Sequence, residues 1–245
     1  MGRDEDGGGQ TLSGIVYGVG VGPGDPELLT LKAARLIRTA DLVAYPAPED
    51  GPSFARQIAA QHLAEDVEEM PIRMNIGDGR FPKDDIYDGA AAKIAAAAQA
   101  GRQVTVLCEG DPFFYGSFMY LFARLTDRCR VEVVPGVSSL MACAIAARGA
   151  LAARNDVLTV VPAPLPEDEL RRRLQHVEAA AIIKVGRHLG KVRKVLSELK
   201  LTDRTRYVER ATLAQQRVLP LAEVKADEAP YFSMLLVHRR GEAWK

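Results

Sequence analysis

Residues 17–30 read YGVGVGPGDPELLT, and the fold is decided by what this stretch means. Glycine takes every second position from Gly18 to Gly24, before Asp25-Pro26 and an apolar, helix-like run. A glycine-rich turn between a strand and a helix often cradles a phosphate on backbone N–H groups. This one departs from both common phosphate patterns. Pro23 stands at the third glycine position of GxGxxG after Gly18 and Gly20, and no Lys-Ser/Thr pair follows. The second candidate strand closes on Tyr45-Pro46, with no carboxylate for a ribose. Two readings remain. The loop is a tight turn in which Gly24 supplies a positive φ and Asp25 caps a helix with Pro26 at N1, or its glycines bring backbone close to a ligand.

Working outward, short β-branched runs alternate with amphipathic or alanine-rich segments. The spacing predicts strands at 14–19, 41–45, 67–72, 103–108 and 130–134, with helices at 26–39, 53–64, 85–100 and 115–126. Gly101 follows the alanine-rich segment where a C′ glycine belongs. The second half continues with strands at 156–161, 180–185 and 205–209 and helices at 166–177 and 189–199. It then changes: 216–224 and 230–238 are predicted to be consecutive strands joined by the polar turn KADEA as an antiparallel hairpin. The organisation expected is a disordered tail at 1–12, an N-terminal α/β domain at 13–135 and a C-terminal α/β domain at 136–240, with the boundary at Pro135-Gly136.

Composition narrows the function classes. The 245 residues are 47% hydrophobic and 26% charged, with 32 Lys+Arg against 32 Asp+Glu. A net-neutral chain gives no support to phosphate-backbone binding, so nucleic acid is not an expected partner. No apolar run reaches the length of a spanning helix, and MGRDEDGGGQ lacks the apolar region of a signal peptide, so a cytoplasmic location and no membrane partner are expected. Cys108, Cys129 and Cys143 lack CxxC spacing, and no His–His or His–Cys spacing suggests a metal.

In an open α/β sheet, ligands gather outside the carboxyl ends of the strands. Four further ends carry notable residues. Glu109-Gly110-Asp111-Pro112 closes the apolar strand QVTVLC and leads into Phe113-Phe114-Tyr115. Its carboxylates suit ribose hydroxyls or an ammonium group, while Asp111 also suits a helix cap; the aromatic run suits core or the wall of a flat ligand. Val134-Pro135-Gly136-Val137-Ser138-Ser139 ends another strand and reads as an N-cap. Lys184-Val185-Gly186-Arg187 and Tyr207-Val208-Glu209-Arg210-Ala211-Thr212 end two more.

Taken in order, GVGVGPGDPELLTLKA (18–33), EGDPFFYGS (109–117), VVPGVSS (133–139), KVGR (184–187) and YVERAT (207–212) resemble the motifs of the tetrapyrrole methyltransferases. The resemblance covers about residues 13 to 238, and the stretches 107–121, 182–187 and 227–237 are most similar to the branch that methylates precorrin-2 at C(20). It implies a two-domain α/β fold, each domain a mixed, mostly parallel sheet flanked by helices, with S-adenosylmethionine bound in the cleft and S-adenosylhomocysteine as product. It also implies a homodimer and a tetrapyrrole substrate. Carried over by position, cofactor contacts fall to Pro23, Glu109, Gly110, Asp111, Phe114, Ser138, Ser139, Val185 and Ala211. Where the family commonly has Gly-Gly-Asp, this chain has Glu109-Gly110-Asp111.

The implied chemistry explains why no triad or metal motif is found. An electron-rich meso carbon is its own nucleophile, a sulfonium is a good leaving group, and alignment alone is worth about 7–11 kcal/mol. A base is needed only to take a proton from the methylated carbon, and no residue is marked for that by sequence. The substrate's carboxylates call for cations, with Arg73, Arg80, Lys83, Lys184, Arg187 and Arg210 as candidates, and the polar loop 74–85 is expected to act as a lid. Two alternatives stay open: a cobalt-bearing substrate, or a non-enzymatic nucleotide-binding α/β module.

Overall fold

Residues 14–74 and 84–240 are described by the computed structural model of the protein. The tail at 1–12 lies outside them, as do Arg80, Lys83 and all but the ends of the 74–85 loop. The chain divides into two compact units, Met1–Val137 and Ser138–Lys245.

Unit 1 begins with β1 (Ile15–Gly20), followed by α1 (Leu31–Arg38), β2 (Leu42–Pro48), α2 (Phe54–Ala59), β3 (Glu68–Met74), α3 (Asp84–Gln99), β4 (Gln103–Cys108), α4 (Phe118–Leu125) and β5 (Arg130–Val134). Its five strands pair in the order β3-β2-β4-β1-β5, and every pairing is parallel. Such a sheet needs cover on both faces, and the strands supply it by alternation. Val16, Leu42, Ala44, Val104, Val106 and Cys108 face a core with α3 and α4. Val19, Val43, Tyr45, Leu107 and Val134 face the other way, toward α1 and α2. Helix α3 fits because Tyr87, Ala90, Ala91, Ile94, Ala95 and Ala98, at helical spacing, are its buried residues. It ends where Gly101, at φ +88°, lets its N–H reach Ala98 O at 2.9 Å.

The helix read over 26–39 is two pieces. Asp25 accepts the Glu27 N–H at 2.9 Å and caps only a single 3-10 turn, Pro26–Leu28. Thr30 then caps α1 afresh, accepting Ala33 N–H at 3.1 Å. The extended backbone at Leu29 and Thr30 separates the two.

Unit 2 contains α5 (Ser139–Ala146), β6 (Leu158–Pro162), α6 (Glu167–Leu174), β7 (Ala179–Ile183), α7 (Leu189–Glu198), β8 (Thr205–Glu209), β9 (Arg217–Pro220) and β10 (Ser233–His238). The strand order is β6-β7-β10-β8-β9. Strands β6, β7 and β8 run one way, and β10 and β9 run the other. The hairpin expected between the last two strands does not form. Instead β9 pairs with β8, while β10 inserts between β7 and β8. Burial explains the exchange: all six residues of β10, SMLLVH, are buried, whereas β9 opens on exposed Arg217 and suits an edge. Helices α6 and α7 bury Leu170, Leu174, Leu189, Val192 and Leu196 with Ile182, Tyr207 and Leu235, and α5 lies against β8 and β10.

Candidate functional site

At the carboxyl edge of the unit 1 sheet, three loops meet through glycine backbone. Gly22 and Gly110 form an isolated bridge, Gly22 N–H to Gly110 O at 3.2 Å and Gly110 N–H to Gly22 O at 2.8 Å. A Cβ on Gly20 would come within 2.6 Å of both Gly110 O and Gly136 N, and one on Gly136 would fall 2.0 Å from Gly110 O. The alternation of glycine in the opening stretch is therefore demanded first by neighbouring loops. Gly18 leaves room for the Phe118 ring, Gly20 for the turns after β4 and β5, and Gly22 takes φ +81° opposite Gly110.

Asp111 clasps the same loops. Its Oδ1 accepts the N–H groups of Phe113 at 2.9 Å and Phe114 at 3.1 Å, and its Oδ2 accepts that of Gly136 at 3.1 Å. Three donors from two loops thus hold this carboxylate, fixing the turn after β4 against the turn after β5. Pro23 sits half-buried beside the bridge. Phe114 is half-buried and meets Tyr115 edge to face at 5.2 Å. Phe113 meets Phe122 edge to face at 5.0 Å, yet it is 50% exposed, so the aromatic run is neither wholly core nor wholly free. Tyr115 adopts φ +57°, which non-glycine residues seldom do.

Glu109 is different in kind from Asp111. It stands at the end of β4, the central strand, with the backbone N–H of Ala55 in the first turn of α2 near its carboxyl. Burial pushes its carboxyl above the ordinary carboxylate range, opposed by backbone N–H groups, its own and that of Ala55. Burial also raises the neighbouring Cys108 thiol to about 11, with the Glu109 charge contributing, and raises Cys143 in unit 2 to about 12.

In unit 2, the ends of β7 and β8 lie at one sheet edge, on either side of the start of β10. Val185 and Ala211 both have buried side chains, so each can offer a ligand only backbone. Around them the chain turns on non-glycine residues in the left-handed region: Lys184 at φ +56°, Arg210 at +50° and Thr212 at +71°. Arg210 N–H donates to Phe232 O at 2.8 Å, tying the turn after β8 to the entry of β10. Backbone strain of this kind collects where a chain presents groups to a ligand. Ser138 caps α5, its Oγ accepting Leu140 N–H at 3.2 Å, and Ser139 is the exposed first residue of that helix.

The candidate residues are thus brought together in two sets. Pro23, Glu109, Gly110, Asp111 and Phe114 share the unit 1 edge, and Val185 and Ala211 share the unit 2 edge. Among the candidate cations, Arg73 donates to the carbonyls of Pro48 and Glu49, both at 3.0 Å, and is anchored within unit 1. Lys184 and Arg187 are exposed.

Two buried polar clusters escape sequence reasoning. Tyr207 donates to Glu209 and lies 3.4 Å from Ser233 Oγ, and burial with the Glu209 contact raises its phenol to about 12. The side chain of Asp156, 3% exposed, lies 3.1 Å from His238 Nε2 and also accepts from Arg240 and the Ala153 N–H. Those hydrogen bonds, the Ala153 N–H first, pull Asp156 down to about 2. Its partner His238 is 82 residues away, so no local pattern announces it. Among the described residues, no helix is long and apolar enough to cross a membrane.

Comparison with known proteins extends these observations. Residues 15–225 match the family model of the Tetrapyrrole (Corrin/Porphyrin) Methylases. The chain is similar to precorrin-2 C(20)-methyltransferase of Sinorhizobium sp, 43% identical over 232 residues that span 91% of this chain and 95% of that protein. It is 30% identical to cobalt-precorrin-2 C(20)-methyltransferase of Salmonella typhimurium, over 94% of this chain and 99% of that one. Among solved structures it resembles uroporphyrin-III C-methyltransferase from Thermus thermophilus complexed with S-adenosylhomocysteine. That match has a TM-score of 0.68 and 28% identity and covers 92% of this chain and 98% of that one.

Proposed function

The chain belongs to the tetrapyrrole (corrin/porphyrin) methylases, and we propose that it methylates precorrin-2 at C(20), giving precorrin-3A in cobalamin biosynthesis. It is an S-adenosylmethionine-dependent C-methyltransferase. The observation that carries the reading is similarity along almost the entire length of both chains to a precorrin-2 C(20)-methyltransferase. The lower identity to the cobalt-precorrin-2 enzyme favours the metal-free substrate.

The fit of the cofactor rests on the two sheet edges. In unit 1, glycine backbone, a half-buried Phe114 and a rigidly clasped turn offer a flat, close-approach surface. In unit 2, Val185 and Ala211 offer backbone at strained strand ends. Pro23, the Glu109-Gly110-Asp111 turn, Phe114, Ser138, Ser139, Val185 and Ala211 would hold the cofactor, chiefly through main-chain groups. When bound, S-adenosylmethionine supplies a methyl group on a sulfonium that leaves as a neutral sulfide. The chain's own work is to orient: the Asp111 clasp fixes the loop backbone, and the aromatic run shields the site from water. The cationic side chains at the unit 2 edge suit substrate carboxylates. A homodimer acting in the cytoplasm is part of the proposal, supported by the resemblance and by buried Cys108 and Cys143.

Incubation with methyl-labelled S-adenosylmethionine and either precorrin-2 or its cobalt form tests the reading. Label appearing at C(20) of the metal-free ring is expected. Label only on the cobalt form would move the enzyme to the cobalt-dependent route, and calorimetry showing no affinity for S-adenosylhomocysteine would overturn the activity altogether.

A further inference from the structure

The turn after β4 holds two carboxyl groups with opposite fates. Asp111 is committed to three backbone N–H donors and works as a clasp. Glu109, two residues earlier at the mouth of the central strand, has no ion-pair partner among the described residues, and only backbone N–H groups oppose its burial. Helix α2 packs against β2 and β4, so its first turn covers this position from one side. The charged and titratable groups on the surrounding elements are already spoken for. On α2, Arg56 forms a two-pronged pair with Glu69 of β3, at 2.8 Å on each arm, and Tyr45 of β2 bonds to the same carboxylate. On β4 itself the Cys108 thiol is held neutral, and in the following loop Asp111 is clasped. An unpaired carboxyl kept in low-dielectric surroundings at a sheet's ligand-binding edge costs stability, and such a cost is characteristic of a group retained for chemistry.

We infer that the Glu109 carboxylate is the catalytic base that takes the proton from C(20) once that carbon carries the new methyl group. This rests on the proposed methylation of precorrin-2. In the step, the C(20)–H bond breaks and its electron pair returns to the conjugated macrocycle. The proton forms an O–H bond on Glu109, which then passes it to solvent as product leaves. Charge balances: the cationic ring left by methyl addition becomes neutral, and the anionic carboxylate becomes a neutral acid. Burial suits the task, because a carboxylate of raised basicity accepts a proton more readily than an exposed one.

The discriminating experiment compares wild type, Glu109→Gln and Glu109→Asp with precorrin-2 bearing hydrogen or deuterium at C(20). Glu109→Gln is expected to lower kcat at least about a hundredfold and leave S-adenosylhomocysteine affinity within about twofold. The acid limb of the wild-type kcat–pH profile should vanish in it, and a primary deuterium effect should emerge as proton removal becomes limiting. Glu109→Asp should restore part of the rate and an acid limb. A second readout is independent of turnover. Glu109's folded pKa is raised, so its stabilising contribution is full below the unfolded pKa and is lost as pH rises through the folded value. The melting temperature of Glu109→Gln relative to wild type should therefore climb between about pH 5 and about pH 8. Retention of kcat within about threefold by a folded Glu109→Gln, or persistence of its acid limb, would overturn the assignment while leaving the methyltransferase reading intact. A wild type inactive on precorrin-2 would overturn both.

Discussion

The two units finish their strands in contrasting ways. In unit 1, the turns after β1, β4 and β5 are cut down to backbone, and Gly20, Gly22, Gly110 and Gly136 let three loops stack main chain on main chain. In unit 2, the turns after β7 and β8 bend through the left-handed region while keeping full side chains, at Lys184, Arg210 and Thr212. The first solution gives a stiff, close surface with little to say chemically beyond N–H and C=O. The second accepts backbone strain and retains charge and hydroxyl groups at the rim. A methyltransferase of this family needs both: a rigid bed for the methyl donor and functional groups for a polycarboxylate ring.

The hardest blow to this contrast is Gly136→Ala. The new Cβ would meet backbone, which cannot swing aside, so a loss of about 3 kcal/mol is expected in chemical denaturation. Tolerance of alanine at Gly136 would show that the loops are looser than their packing implies. Next is Asp111→Ala, which strands three N–H groups and should cost about 2 kcal/mol. It should also weaken S-adenosylhomocysteine at least about tenfold in calorimetry, a loss of roughly 1.4 kcal/mol, through disorder of the turn.

The units also differ in how acid acts on them. Asp156 of unit 2 has a depressed pKa of about 2, so its stabilising contribution is present above the unfolded value and is lost as pH falls from about 4 toward 2. Asp156→Asn should therefore lower the melting temperature at neutral pH and flatten its decline over that acid window. An unchanged acid decline in the variant would assign the low-pH sensitivity elsewhere. The smallest effect expected is Arg210→Gly. Relief of the φ +50° conformation should raise stability by about 0.5 kcal/mol net of the freer unfolded chain, while the KM for tetrapyrrole rises with the guanidinium gone. A loss of stability instead would mean that the Arg210 side chain supports the turn.

Legibility followed the range of the interactions. Strands β4, β5 and β8 and helix α3 were readable because their cores repeat at the period of the element, as in QVTVLC or the alanine ladder from Ala90 to Ala98. The glycine run was readable as a special turn, but its reason was not: the atoms that exclude a Cβ from Gly20 belong to Gly110 and Gly136, far along the chain. For Asp111 the sequence pointed to a cap or a ligand contact, and the bond to Gly136 N–H, 25 residues on, makes it a clasp between loops. The unit 2 strand order failed for the same reason. Nearness in sequence favoured pairing β9 with β10, and the demand of an all-apolar strand for a central seat overrode it. Asp156 with His238 carried no signature at all, because a single long-range pair leaves no period to detect.

The placement of β10 has a consequence in time. It is the last strand of unit 2 to be synthesised and it occupies the middle of the sheet, so β7 and β8 have no shared partner until residues 233–238 leave the ribosome. Unit 1, whose five strands are all made by Val134, can close its sheet while the rest is still being translated. During that interval the nascent β7 and β8 present unpaired apolar edges, Ala179–Ile183 and Thr205–Glu209, which makes the second half of synthesis the period of greatest exposure to aggregation.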